Sequence, residues 1–213
     1  MIALIAYLWR VALTSHRWAA PLLVFLGAVG ILSATTGDLL PSYAGVAVVL
    51  FFVSIWWTVL AVNAEDPEQL PVTVTSAGSF PRVRLAKLTV AYLGSILLGL
   101  IGLVGPALAS PGGVTPGQVG TGAGAFLITA LAGTAIGGFC ATPVVRRTAW
   151  AVLAGALLGL VDVLVPYGPP ARQVLVLLNG SAQGWILGMI GLETLLLAAL
   201  ALAASSRLAW SRS

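Results

Sequence analysis

The chain has 213 residues, of which 59% are hydrophobic and only 8% are charged, and its mean hydropathy is +1.05. A soluble domain carries about 25% charged residues, so this composition excludes a water-soluble protein and predicts a chain that uses lipid as its solvent. The net charge of +4 is typical of membrane topology signals and does not indicate nucleic-acid binding. A single Cys and a single His exclude an intrachain disulfide and a Cys/His metal cluster.

The N-terminal segment, residues 1–17, is predicted to form an amphipathic helix on the cytoplasmic membrane surface. Leu4 and Leu8 recur at helical spacing, while Arg10 and Arg17 lie on another face. We expect both arginines to anchor this helix at the lipid headgroups.

Six apolar runs follow between residues 18 and 206, and each is long enough to cross a bilayer. If all six cross, nine of the ten basic residues fall on the same side as the N-terminus. The positive-inside rule therefore predicts that both termini are cytoplasmic. The predicted fold is an all-α, six-span integral protein of the cell membrane, with one transmembrane domain over residues 1–213. The runs are Trp18–Thr36, Ser42–Val62, Leu85–Ala109, Gly122–Thr142, Thr148–Pro166 and Gln183–Ser206.

Residues 63–84, between the second and third runs, form a polar cytoplasmic loop that starts acidic and ends basic. Asp66 is a good helix N-cap, and Glu68 favours the N-terminal end of a helix dipole. These signals predict a short helix from Pro67 to Ser76 that projects from the membrane surface. The alternative is a solvated loop that only connects two spans. We expect the basic residues near its end to anchor the third span at the headgroups: Arg82, Arg84 and Lys87.

The segments predicted on the outer side differ in character. Residues 110–120 are rich in Gly and Pro and are predicted to be flexible. Residues 166–184 contain three prolines, followed by an apolar stretch that is too short to span the bilayer. We expect this stretch to form a re-entrant or interfacial helix.

Two acidic residues and a pair of tryptophans fall inside the predicted spans. Glu193 lies about 15 Å into the last run, near the bilayer centre, where a charge costs roughly 2.5 kcal/mol or more. Glu193 is therefore either a pathway residue or a neutral carboxyl group bonded to a neighbouring helix. Asp162 lies near the outer end of its run, where we expect interfacial solvation. Trp56 and Trp57 either pack against lipid and helices or form an aromatic wall of a substrate pathway.

Catalytic motifs are missing from the sequence. There is no G-x-x-x-x-G-K-S/T phosphate-binding loop, no Ser/His/Asp set and no pair of catalytic carboxylates. With six acidic residues and one His, little enzyme chemistry is available. We predict that the chain is not an enzyme by itself and that it binds no cofactor or metal.

Six spans, an amphipathic N-terminal helix and a structured loop between spans two and three resemble the permease subunit of an ABC-2-type ABC transporter. The acidic start of the loop, then Ser79-Phe80-Pro81-Arg82 and then Leu85-Ala86-Lys87, follow the pattern of that family in order. The resemblance implies that the loop is a coupling helix seated in a groove of an ATPase subunit. The coupling residues that it implies are Glu65, Asp66, Glu68, Gln69, Leu70, Val72, Thr73 and Ser76.

The same resemblance implies a larger transporter around this chain. Two permease copies, or this chain and a related permease, would form the substrate pathway within membrane lipid. Glu193, Trp56 and Trp57 are the candidates to line it. Two separate ATPase subunits would bind ATP and Mg²⁺ and drive the substrate outward.

Two other function classes fit the composition. A stand-alone secondary carrier or channel would use Glu193 as a proton site and would show helix breaks near the bilayer centre and inverted repeats, but the sequence contains no detectable repeat. A non-transporting scaffold or assembly factor would share the polar loop and needs no pathway residue. An intramembrane enzyme is disfavoured by the missing catalytic residues.

Overall fold

The computed structural model describes residues 1–35, 38–66, 68–110, 113–142, 145, 147–165, 170–179, 188–196 and 198–199. Across these residues the regular structure is helical throughout, without a strand. A partly described helical stretch over residues 188–199 is called the last helix. The helices before it are α1 (Ile2–Thr14), α2 (Ala19–Thr35), α3 (Leu39–Val62), α4 (Leu70–Ala77), α5 (Phe80–Ala109), α6 (Pro116–Cys140), α7 (Thr148–Leu164) and α8 (Pro170–Asn179).

Within the described residues, α3, α5 and α6 are each long and apolar enough to cross a bilayer alone. α1 and α2 pass the same criterion together as one span bent by 78°, which raises the number of candidate spans to four. α7 has 17 residues, fewer than the about 20 that a span needs. The chain is therefore a membrane-embedded, multi-pass helical protein. Its six predicted spans and the cytoplasmic position of its termini stay predictions.

α3 is the central helix of the bundle. It is apolar around its whole circumference, and such a helix is stable when other apolar elements surround it. It contacts α2, α5, α6, α7 and α8. α6 approaches it closely at Gly133 and Gly137, where a Cβ atom would lie 2.7 Å from the Phe51 carbonyl oxygen and 2.6 Å from the Ile55 carbonyl oxygen. Small residues at this spacing let two helix backbones meet.

Local sequence signals start two helices earlier than hydropathy alone predicts. α5 begins at Phe80, ahead of the apolar run, with a proline in its first turn. α6 begins at Pro116 after a reciprocal capping box between Thr115 and Gln118. Residues 116–120, predicted to belong to a flexible loop, are therefore the ordered first turn of a long helix.

α4 confirms the presence of a helix in the polar loop but begins later than predicted. Pro71 lies in its first turn, where a missing N–H is tolerated. A start at Pro67, which itself lies outside the described residues, would put Pro71 in the helix interior. Asp66, the predicted N-cap, therefore precedes the helix. Gly78, with φ of 80°, ends it in the left-handed conformation that favours glycine.

α7 and α8 meet inside the bundle. Val163 near the end of α7 and Ala171 at the start of α8 belong to the packing around Phe51 and Ile55, which lie near the middle of α3. α8 also contacts α6 and α7. One face of α8 is buried against the bundle through Ala171, Val174, Leu177 and Leu178, while Val176 is exposed. Whether the helix is re-entrant or interfacial stays a prediction. The other residues of the predicted outer segment, 166–169 and 180–184, lie outside the described part of the chain.

Candidate functional site

A buried ion pair lies where α3 leads into the polar loop. The Glu65 Oε2 and Lys87 Nζ atoms are 2.8 Å apart, and the two side chains are only 1% and 9% exposed. Lys87 Nζ also donates a hydrogen bond to the carbonyl oxygen of Val62, the last residue of α3, at 3.3 Å. Buried charges persist when they are paired and hydrogen-bonded. The ion pair therefore ties the start of the loop to α5.

α4 is attached to this ion pair through Thr73. Thr73 is buried, and its hydroxyl donates a hydrogen bond to Glu65 Oε1. Leu70, at the start of α4, lines a cavity of about 70 Å³ together with Arg84 and Lys87. One carboxylate, itself held by Lys87, thus holds α4 against the bundle.

Arg84 and Asn63 connect α5 and the end of α3 to the end of α6. Arg84 donates from Nη2 to the Gly138 carbonyl oxygen at 2.8 Å and from Nη1 to the Thr142 carbonyl oxygen at 2.7 Å. Asn63 Oδ1 accepts from the Thr142 hydroxyl at 2.6 Å. The last carbonyl groups of a helix lack partners and carry partial negative charge, so a guanidinium stabilises this end of α6. We call the following residues the inner polar cluster: Asn63, Glu65, Thr73, Arg84, Lys87 and Thr142.

The side of α4 that carries Val72 is exposed, as is the turn that precedes the helix. Together they present two carboxylates, an amide, a hydroxyl and Val72, which is 68% exposed. A groove of about 600 Å³ separates this side from α1 and is lined in part by Tyr7 and Arg82. We call the following residues, the first three of which directly precede the helix, the exposed face of α4: Asp66, Glu68, Gln69, Val72 and Ser76.

The eight predicted coupling residues divide into two groups. Five of them form the exposed face of α4. Glu65 and Thr73 are both buried, and their side chains bond to each other, while Leu70 is half-buried. The first group is available to a partner, whereas Glu65 and Thr73 position α4 from inside the chain.

Two of the five predicted headgroup anchors lie inside the bundle. Arg10, Arg17 and Arg82 are exposed, but Arg84 and Lys87 are buried. Their carbonyl and carboxylate partners hold these two charges between helices. We therefore correct their assignment from surface anchors to internal ties.

The paired tryptophans have different environments. The Trp57 indole Nε1 donates a hydrogen bond to the Ala91 carbonyl oxygen at 2.9 Å. Its ring occupies the space beside Gly94, where a Cβ atom would come within 2.4 Å of it. Trp57 is therefore a packing residue between α3 and α5. Trp56 is half-buried, and its predicted place in a pathway stays a prediction.

A second group of polar side chains lies at the break between α7 and α8. Asp162 Oδ2 accepts a hydrogen bond from the N–H of Ala171 at 3.2 Å, and Arg172 Nη1 donates to the Leu164 carbonyl oxygen at 3.0 Å. Each helix thus caps the end of the other. A carboxylate at a helix N-terminus and a guanidinium at a C-terminus both complement the helix dipole. Asp162 is half-buried and joins the ends of two helices, and its expected place at the solvated interface stays a prediction.

Glu193 on the last helix joins this group through α8. Its Oε2 atom accepts a hydrogen bond from Gln173 Nε2 at 3.3 Å. Within the described residues, Glu65 and Lys87 form the single ion pair, so these carboxylates have neutral partners. We call Asp162, Arg172, Gln173 and Glu193 the break cluster.

Sequence reasoning singled out Glu65, Thr73, Arg84 and Lys87 in the inner polar cluster and Asp162 and Glu193 in the break cluster. It missed Asn63, Thr142, Arg172 and Gln173. Asn63 carries a signal, because it is a polar residue directly after an apolar run. Thr142 carries none, since it meets Asn63 from 79 residues away. Gln173 lies in an apolar stretch and carries no signal either, because its hydrogen-bond partner Glu193 is 20 residues further along the chain.

No protein-family model, curated protein or solved structure matches this chain. Its resemblance to ABC-2 permeases therefore rests on its own residues, above all on those around α4.

Proposed function

We propose that this chain is the permease half of an ATP-driven exporter and that α4 is the element that a separate ATPase subunit contacts. The attachment of α4 to the buried Glu65–Lys87 pair through Thr73 is the observation that carries the proposal. A buried ion pair has a desolvation penalty of several kcal/mol per ion. A loop that only connects two helices does not require a buried ion pair. A helix that transmits movement requires a firm attachment, because a loosely held helix would move without moving the rest of the bundle.

The inner polar cluster offers a route for such movement. Glu65 follows α3, Lys87 lies on α5, and Arg84 ties α5 to the end of α6. A displacement of α4 therefore shifts the ends of three helices together. In the proposed transporter, two ATPase subunits close on ATP and Mg²⁺ and move α4. This chain and a second permease, either a copy or a relative, then open the substrate pathway within the lipid bilayer.

The exposed face of α4 defines the chemistry of the partner surface. Asp66 and Glu68 are exposed carboxylates, and Val72 is the exposed apolar side chain between them and the end of the helix. Complementarity requires a groove with basic side chains at one end and an apolar floor.

The test is to place a charge on this face and to measure whether an ATPase stays bound. We expect Val72→Asp to reduce co-purification of a P-loop ATPase from native membranes in mild detergent at least tenfold, and to reduce vanadate-sensitive ATP hydrolysis equally. Val114→Asp is the matched control, because Val114 is exposed on the segment that precedes α6, away from α4. The control should retain the ATPase at the wild-type level.

A wild-type chain that purifies without any ATPase would contradict the proposal. Equal losses for Val72→Asp and Val114→Asp would also contradict it, because they would show a general defect in folding or insertion. Size-exclusion profiles of both variants separate a loss of partner from a loss of folded chain.

The break cluster favours a second candidate function, that of a secondary carrier. Two carboxylates with neutral partners, on helices that pack around Phe51 and Ile55 of α3 or are bonded to them, fit what a proton-coupled pathway requires. The purified chain alone, in vesicles with an imposed pH gradient, distinguishes the two candidates. Proton flux without an ATPase would favour the carrier. No flux and no ATPase would favour the scaffold.

A further inference from the structure

A cleft of about 160 Å³ lies between α5, α6 and the last helix. On α5 its wall runs through Arg84, Leu88 and Tyr92, which share one helix face at four-residue spacing. α6 contributes Leu131 and Thr134. The wall is therefore cationic at the end near the inner polar cluster and becomes apolar toward the middle of α5.

Two buried polar atoms on this wall have no partner within the described residues. They are the Thr134 hydroxyl oxygen and the Arg84 Nε atom, on side chains that are 4% and 3% exposed. Thr129 on the same helix shows the usual alternative, because its hydroxyl donates to the Ala125 carbonyl oxygen at 2.7 Å. Buried polar groups nearly always have a partner, so the Thr134 hydroxyl and the Arg84 N–H indicate a molecule with acceptor oxygens in this cleft.

We propose that this cleft binds one anionic phospholipid. The phosphate lies beside Arg84, an ester oxygen accepts from Thr134, and an acyl chain follows Leu88, Tyr92 and Leu131. The phosphate, the ester and the acyl chain of the lipid follow one another in the same order as their partners on the wall, which are Arg84, Thr134 and the apolar side chains. Basic pockets between membrane helices select anionic headgroups by the same electrostatics. The inference is independent of the proposed function, since a permease, a carrier and a scaffold could each hold such a lipid.

Thr134→Val is the most informative variant, because it removes the hydroxyl and keeps the shape. Without lipid it should not destabilise the chain, since an unpartnered buried hydroxyl is replaced by an apolar group of the same size. In the presence of lipid, the variant lacks the hydrogen bond from Thr134 to the ester oxygen and should therefore bind the lipid more weakly. Arg84 is less suitable for the test, because it also holds the end of α6 through Gly138 and Thr142.

The measurement is native mass spectrometry of the full chain with equimolar phosphatidylglycerol and phosphatidylcholine that carry identical acyl chains. We expect the wild type to retain one phosphatidylglycerol in preference to phosphatidylcholine. Thr134→Val should bind phosphatidylglycerol about threefold to tenfold more weakly, the range expected for one hydrogen bond. Thr129→Val is the matched control on α6 and should bind like the wild type.

Three results would overturn the inference. Equal retention of the two lipids by the wild type would show that the cleft does not select an anionic headgroup. Unchanged phosphatidylglycerol binding by Thr134→Val would show that the hydroxyl meets no lipid. Equal losses in Thr134→Val and Thr129→Val would show a general effect of hydroxyl removal on α6. Thermal unfolding of both variants in lipid-free detergent verifies that each is folded.

Discussion

The inner polar cluster and the break cluster place charge inside the same helical bundle with different partners. In the first, the Glu65 carboxylate meets the Lys87 ammonium at 2.8 Å. In the second, Asp162 meets a backbone N–H at 3.2 Å and Glu193 meets an amide at 3.3 Å. An ion pair keeps both groups charged, because loss of one charge leaves the other buried alone. A neutral partner can hold a carboxylate in either protonation state.

The inner polar cluster is therefore a rigid attachment between helices, whereas the break cluster can change its protonation state without losing its hydrogen bonds. The inner polar cluster holds α4 and the ends of α3, α5 and α6 in one arrangement. The break cluster holds two helix ends by caps and one cross-helix hydrogen bond, each of which is a small contribution to stability. Replacements in the two clusters should therefore differ in size and in kind.

The largest effect is expected from Lys87→Met. It leaves the Glu65 carboxylate buried without its cation, which costs about 3–5 kcal/mol in other buried pairs. Denaturant unfolding in detergent measures the loss. The double variant Glu65→Gln/Lys87→Met keeps an acceptor for Thr73 and removes the lone charge, so it should be more stable than Lys87→Met. A double variant that is no more stable would show that charge pairing does not hold this region together.

A smaller effect is expected from Asp162→Ala, which removes the cap on the N–H of Ala171. Loss of a helix N-cap costs about 0.5–2 kcal/mol. The loss should appear locally, as faster hydrogen exchange of the α8 amides by mass spectrometry, with little change in α3. Asp162→Asn retains an acceptor oxygen and should exchange more slowly than Asp162→Ala. Uniform exchange across the bundle would contradict a local role for this cap.

The smallest effect on stability is expected from Glu193→Gln. The amide oxygen can still accept from Gln173, so the free energy of unfolding should change by no more than about 0.5 kcal/mol, as for most replacements that break no buried network. If Glu193 lines a pathway, substrate-stimulated ATP hydrolysis or proton flux should change instead. A loss of stability as large as that of Lys87→Met would mean that the Glu193 charge is structural.

Helix positions were largely predictable from local sequence, and most errors at their ends have local causes. Pro71 delays the start of α4, and the capping box of Thr115 and Gln118 extends α6 into a segment that composition alone marks as flexible. Both signals act over three or four residues and are readable in the sequence. The packing of α8 against α3, α6 and α7 was not readable, because a short apolar stretch does not specify which helices will cover it.

The sequence by itself determined that this chain belongs in a membrane, that it is helical and that its polarity is concentrated around α4. These properties follow from composition and from periodicities within one helix. The tertiary structure alone decided that Lys87 and Arg84 lie inside the bundle, that Glu65 braces α4, and that Asp162 and Glu193 share the break between α7 and α8. The physical reason is that a partner tens of residues away is chosen by helix packing, which no local pattern encodes.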